Sequence, residues 1–145
     1  SYTTLVKLQR KALIRHLALS NPTGRQVAQA RGIADIVCVQ NQYNIAHRAD
    51  DALIGQLAQD GIAYVPFFPL GGFSPLQSGT LERVAAECQA TPMQTALAWL
   101  LQRSPNILLI PGTSSVEHLR QNAAAASLAL SPRAVARLDG IGTAG

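Results

Sequence analysis

Charge is scarce in this sequence. Only 14% of its 145 residues are Asp, Glu, Lys or Arg, well below the ~25% of an average soluble domain, which argues against a disordered, self-repelling chain. Aromatic residues make up only 5% and are not interleaved with basic ones. The Lys and Arg residues are scattered, with no run of five or six. The net charge of +4 and pI near 9.6 therefore describe a mildly basic surface and not a nucleic-acid binder. No apolar run approaches the ~20 residues of a membrane span, and no basic-then-apolar leader pattern opens the chain. Cysteine is limited to Cys38 and Cys88, without a CxxC or Cys/His spacing. That excludes a zinc site and leaves two thiols expected to be buried and reduced, in a cytoplasmic protein.

What is present is alternation. Continuous apolar runs at Ile14–Ser20, Ile36–Gln40, Ile62–Phe68 and Ile107–Ile110 predict strands buried on both faces, the habit of parallel sheets. Helical patterns lie between them. Thr23 is placed to cap a helix through Val27 and Ala28. Asp50 and Asp51 lead into Leu53, Ile54 and Leu57, with Gly61 as the stop. Thr80 precedes Leu81 and Val84. Thr91-Pro92-Met93-Gln94 joins an N-cap, a first-turn proline and a capping-box Gln. Ser114-Ser115-Val116-Glu117 reads as another capping box, and Ser131-Pro132 opens a last helix. The order α-β-α-β-α-β-loop-α-α-β-α-α implies βαβ units on a parallel sheet in a single domain spanning residues 1–145. The segment Pro69–Gly79 is the one long loop, and loops of that length tend to be functional.

No βα turn reads GxGxxG, which a doubly wound dinucleotide fold would show. A (β/α)8 barrel takes about 250 residues, so this chain holds about half of one. In either architecture ligands sit at the carboxyl ends of the strands. Those ends carry Ser20-Asn21-Pro22, Gln40-Asn41-Gln42-Tyr43, Pro66-Phe67-Phe68-Pro69-Leu70-Gly71-Gly72 and Ile110-Pro111-Gly112-Thr113-Ser114-Ser115. Amides and hydroxyls could hydrogen-bond a carboxamide, phenylalanine offers a stacking face, and a Gly-Thr-Ser-Ser turn entering a helix suits phosphate. Each has a plainer reading as turn, cap or core. Their recurrence at four successive strand ends favours a site.

These strings resemble the C-terminal half of the aldo-keto reductase family, nearest the branch with bacterial oxidoreductases and potassium-channel β-subunits. The matching stretches are Ile14–Asn21, Val39–Asn44 with Arg48, Tyr64–Gly72, Gln94–Leu101 and Ile110–Asn122. The resemblance implies units five to eight of a (β/α)8 barrel, parallel strands with outer helices. It also implies hydride transfer between NADP(H) and a carbonyl or alcohol. By resemblance, Ser20, Asn21 and Gln40 hold the nicotinamide carboxamide and Phe67 stacks on its ring. Phe68, Leu70 and Gly71 follow the pyrophosphate, and Gly112, Ser114, His118, Gln121 and Asn122 hold the adenosine end, with Asn122 on the adenine. Gly72–Gly79 would be part of a substrate loop.

The chain departs from the family pattern in places. Some members carry Lys at the Gly112 position and Arg at the His118 position, and Glu is frequent where Gln121 stands. NADP is thus weakened as the default and NAD admitted. The family's Tyr, Lys, Asp and His catalytic set comes from the first four units. Tyr2, Tyr43, Tyr64, Lys7, Lys11, His16, His47 and His118 do not replace it, so this chain alone is expected to be inactive, with no catalytic and no metal-ligating residues of its own. A small carbonyl substrate is expected only with an N-terminal half in place. Open sheet edges, and inward faces at Val37 and Val39 without an opposite wall, predict homodimerisation or a longer parent protein. The alternatives are a non-catalytic nucleotide-binding or interaction module and an inactive truncated fragment.

Overall fold

The computed structural model describes residues 1–71 and 78–141. Helix α1 (Tyr2–Arg10) precedes β1 (Ala18–Ser20), α2 (Gly24–Arg31), β2 (Cys38–Gln42), α3 (Asp51–Gln59) and β3 (Ala63–Phe67). Four further helices follow: α4 (Gly79–Glu87), α5 (Pro92–Arg103), α6 (Val116–Ala124), which runs into a 3-10 turn at Ala125–Ser127, and α7 (Pro132–Asp139). The strands form one parallel sheet in the order β1-β2-β3, pairing Ser20 with Gln40 and Gln40 with Val65. The alternation of apolar runs and helices thus yields parallel βαβ units as expected.

The predicted fourth strand, Ile107–Ile110, is not one. It contributes a single parallel bridge, Ile107 to Tyr64. Tyr64 bonds both sides of it, its N–H to the Asn106 carbonyl at 2.8 Å and its carbonyl to the Leu108 N–H at 2.9 Å. The next residue of β3 able to face this segment is Pro66, which has no N–H to give, and the ladder stops. The first strand is also shorter than Ile14–Ser20, beginning at Ala18.

Capping differs in detail from expectation. Thr23 and Thr91 each form a full capping box with a Gln three residues on. Helix α4 is capped by Ser78, not Thr80, and α6 by Ser115 alone, whose hydroxyl accepts from the His118 N–H. Gly61, at φ +68, ends α3 in the left-handed conformation that favours glycine. Both cysteines are free and half-buried, less enclosed than expected.

The core lies between the sheet and α3, α4, α5 and α7. Val39, Tyr43, Tyr64, Leu57, Leu81, Leu97, Trp99, Leu100 and Leu138 are all buried there. Each such side chain contributes about 1.5–3 kcal/mol relative to an exposed one. Val39 therefore faces the helices and not an open inner wall, which corrects the expectation for that residue; Val37, one pleat earlier, is 44% exposed. The pleat puts Ser20, Gln40, Gln42, Val65 and Phe67 on the opposite face of the sheet. Among the described residues, no helix is long and apolar enough to cross a membrane.

Candidate functional site

Two of the four non-glycine residues with positive φ among the described residues lie where strands end, the other two, Ala12 and Gln89, just past α1 and α4. Asn21, just past β1, has φ +54, and Phe68 and Gly71, just past β3, have φ +55 and +92. Non-glycine residues with positive φ are uncommon and persist where surrounding contacts over-determine them. Asn21 also precedes Pro22, which further restricts its backbone.

The register brings Ser20 and Gln40 side by side, with Phe67 opposite Gln42, all on the face away from the helical core. Ser20 and Asn21 are exposed, and Gln40 and Phe67 half-buried. Phe67 and Phe68 meet edge to face, ring centroids 5.3 Å apart. A cavity of about 400 Å³ joins this strand end to the Ile110–Gly112 turn, lined by Phe67, Phe68, Pro69, Leu70, Ile110, Pro111 and Gly112. Four of the residues predicted from the sequence, Phe67, Phe68, Leu70 and Gly112, therefore share one concavity.

Helix α6 starts directly after that turn. Its first-turn N–H groups and dipole form a positive end that attracts anions. Ser114 and His118 are exposed there, and Gln121 and Asn122 are half-buried further along. Gln121 is tied to the fold, its carbonyl accepting from Gln94 and its amide donating to Glu117, both at 3.2 Å. The Asn122 Oδ1 is buried without a hydrogen-bond partner. Gly112 has open space where a Cβ would stand. None of the α6 residues lines the 400 Å³ cavity, nor does Gly71. Asn21 lines a separate cleft of about 500 Å³ with Asn41, His47, Arg48 and Asp50. The predicted substrate-loop residues 72–77 lie outside the described residues.

Two residues that the sequence reading did not single out organise these strand ends. Asn41 is 7% exposed and Asn44 fully buried. Asn41 Nδ2 donates to the Pro22 carbonyl at 3.0 Å and to Asp50 Oδ2 at 2.6 Å. Asn44 Nδ2 donates to the Phe68 carbonyl at 3.0 Å, while its Oδ1 accepts from the Ala46 and His47 N–H groups. The available signal was parity: Asn41 falls between Val39 and Tyr43 on the core-facing side of β2, where a polar side chain needs a partner.

The tyrosines near the site are engaged elsewhere. Tyr43 donates to Asp51 Oδ1 at 2.5 Å and accepts from Arg103 at 3.3 Å. Tyr64 donates to Asp50 Oδ2 at 2.8 Å. Burial, then the hydrogen bond to Asp51, pushes the Tyr43 hydroxyl up to about 12; burial and Asp50 push Tyr64 in the same direction. Burial alone would raise the Asp51 carboxyl, yet hydrogen bonds from Arg48 and Tyr43 and the charge of Arg103 hold it below its ordinary value. No cluster of His, Cys, Asp and Glu among the described residues could hold a metal.

Comparison with known proteins follows this geometry. The sequence profile of the Aldo/keto reductase family matches residues 2–143. Pyridoxine 4-dehydrogenase of Escherichia coli is 70% identical over 141 residues, which are 97% of this chain and 49% of that protein. An oxidoreductase of Schizosaccharomyces pombe is 37% identical over 95% of this chain and 45% of its own length. Among solved structures, a thermostable aldo-keto reductase in complex with the inhibitor epalrestat superposes with a TM-score of 0.88 at 34% identity, over 97% of this chain and 53% of that one. An aldose reductase of Giardia lamblia shares the fold at a TM-score of 0.87 and 22% identity, over 98% of this chain and 49% of its own. The chain spans about half the length of these relatives.

Proposed function

The chain belongs to the aldo/keto reductase family, and from that membership we propose that it is the cofactor-binding, C-terminal half of a (β/α)8 oxidoreductase barrel. The observation that carries this reading is the joining of Phe67, Phe68, Leu70 and Gly112 around one cavity at the carboxyl end of the sheet, where such folds bind ligands. Enzymes of this family use a nicotinamide dinucleotide, which when bound supplies or accepts a hydride at a carbonyl carbon.

The residues present fit that group. Ser20 and Gln40, adjacent in register, offer a hydroxyl and an amide for a carboxamide. Phe67 presents a half-buried ring on the same face. The Gly112 turn and the first turn of α6 offer N–H groups to phosphate. The buried Asn122 Oδ1, without a partner in the chain, is an acceptor suited to the amino group of an adenine. With neither Lys at 112 nor Arg at 118, selection of NADP over NAD rests on Arg120, exposed on α6.

The Tyr43 and Tyr64 hydroxyls are bonded to carboxylates inside the core and raised above their ordinary range. Both protons are given to carboxylates, and neither hydroxyl lines the strand-end cavity. Proton transfer is therefore assigned to residues outside this stretch, contributed by the rest of the barrel. The 70% identity to pyridoxine 4-dehydrogenase points to dehydrogenation of the pyridoxine alcohol as the whole protein's reaction.

Calorimetric titration of NADPH into the purified chain tests the site. Micromolar binding that is lost in Phe67→Ala is the expected result. A folded chain that binds no NADPH contradicts it.

A further inference from the structure

The two strained residues of the site, Asn21 and Phe68, sit on different strands, yet both are secured from the same short segment. β2 and its extension lie between β1 and β3 in the sheet. From this central position Asn41 reaches one way and Asn44 the other. The Asn21 N–H is held by the Gln40 carbonyl at 3.0 Å, and the carbonyl of the following Pro22, itself buried, accepts from Asn41 Nδ2 at 3.0 Å. A left-handed residue before proline is thus fixed on both sides by β2. Phe68, left-handed on the other flank, has its carbonyl held by Asn44 Nδ2, a side-chain donor beside the local Gly71 N–H, both at 3.0 Å.

The donors are themselves anchored. Asp50 Oδ2 accepts from both Asn41 and Tyr64, and the Asn44 side-chain Oδ1 is fixed by the Ala46 and His47 N–H groups. Asn41 also leaves its own Oδ1 buried without a partner. A core position that bears such a cost uses the amide for its nitrogen, and a hydrophobic residue there would leave the Pro22 carbonyl without this donor.

We infer that Asn41 and Asn44 are positioning residues that clamp Asn21 and Phe68 in left-handed backbone conformations, and so set the nicotinamide and pyrophosphate portions of the cofactor site while leaving the adenosine portion on α6 untouched. The inference rests on the proposed function. Neither asparagine touches the cofactor; each acts through the carbonyl it holds. Removing the donor takes one side-chain restraint from a strained backbone, and the groups it carries lose alignment.

Two ligands separate this from general damage. NADPH and adenosine 2′,5′-bisphosphate, which lacks the nicotinamide and the bridging pyrophosphate, are titrated into the wild-type chain of residues 1–145, Asn41→Ala and Asn44→Asp. The Asn44→Asp carboxylate keeps the acceptor for Ala46 and His47 and turns the donor facing the Phe68 carbonyl into an acceptor. The expected result is a loss of about tenfold in NADPH affinity in each variant, the scale of one lost hydrogen bond, with bisphosphate affinity within about twofold of wild type. The fluorescence of bound NADPH should shift toward that of the free nucleotide. Unchanged NADPH affinity overturns the inference, as does an equal loss for both ligands. A wild-type chain that binds neither ligand overturns the proposed function, and the inference falls with it.

Discussion

Trp99 on α5 donates its indole N–H to Asp139 Oδ1, forty residues away at the end of α7, at 2.9 Å. Arg48 completes the joint. It donates to the Asp139 carbonyl at 2.9 Å and lies 5.4 Å from the centre of the Trp99 ring. Tyr43 stacks on the same indole, ring centroids 6.1 Å apart and planes at 15°. One aromatic residue thus links the loop after β2 to α5 and α7.

Substituting Trp99 tests that joint. Trp99→Phe keeps most of the packing and loses one hydrogen bond to a carboxylate, so a cost of about 1.5–3 kcal/mol is expected. Trp99→Ala opens a cavity in a fully buried site and should cost about 3–5 kcal/mol. Urea unfolding followed by circular dichroism measures both. Equal costs would show that the ring volume is not what the core uses.

Alkaline titration should expose the buried tyrosines. Tyr43 and Tyr64 are both fully buried and hydrogen-bonded to carboxylates. Tyr43 holds its proton up to about 12, against an ordinary 10.0. Unfolded tyrosine ionises first, so the folded chain binds more protons between these two values. The sign follows: this contribution to stability is complete below pH 10 and is lost as pH rises toward 12. Melting temperature measured across that window should fall, and Tyr43→Phe should flatten the fall. Tyrosinate absorbance from all three tyrosines near their ordinary value, in a chain still folded, would contradict this.

Gly61 carries a backbone prediction. Its φ of +68 ends α3, and nothing lies within 4 Å of where a Cβ would stand. Gly61→Ala therefore meets no clash and pays only the left-handed penalty, about 1–2 kcal/mol. Gly61→Asn should recover part of it, because asparagine tolerates this region better. Thermal melts of the two variants give the comparison.

Much of this architecture was legible because parallel strands and capped helices leave local marks. Thr91-Pro92-Met93-Gln94 names its own helix start, and the capping box is there. The apolar run Ile62–Phe68 contains β3 with one residue to spare at each end. The fourth strand misled because Ile107–Ile110 is apolar enough for a strand, while the residue that ends its pairing, Pro66, stands some forty positions earlier. The strand-end cavity was legible where its lining is a string, as in Phe67 to Leu70. It was not legible where it is a relation across the sheet. Nothing local says that Asn41 holds the Pro22 carbonyl or that Asn44 holds Phe68; only pairing β2 between its neighbours puts them in reach.

The proposed adenosine end offers a gain of function. Where some aldo-keto reductases carry Lys and Arg for a 2′-phosphate, this chain has Gly112 and His118, both exposed. Gly112 has room for a side chain, and His118 lies in the first turn of α6, where the N-terminal dipole already favours an anion. Adding a permanent positive charge should therefore strengthen phosphate binding without disturbing the core. His118→Arg, alone or with Gly112→Lys, is expected to raise NADPH affinity about tenfold, the scale of a charge-assisted hydrogen bond, and to leave NADH affinity nearly unchanged. The gain should shrink with added salt, since both positions face solvent. Titrating both nucleotides at two ionic strengths decides it. An equal gain for NADH would mean that the new cations meet the pyrophosphate instead, and that the 2′-hydroxyl of the adenosine points away from α6.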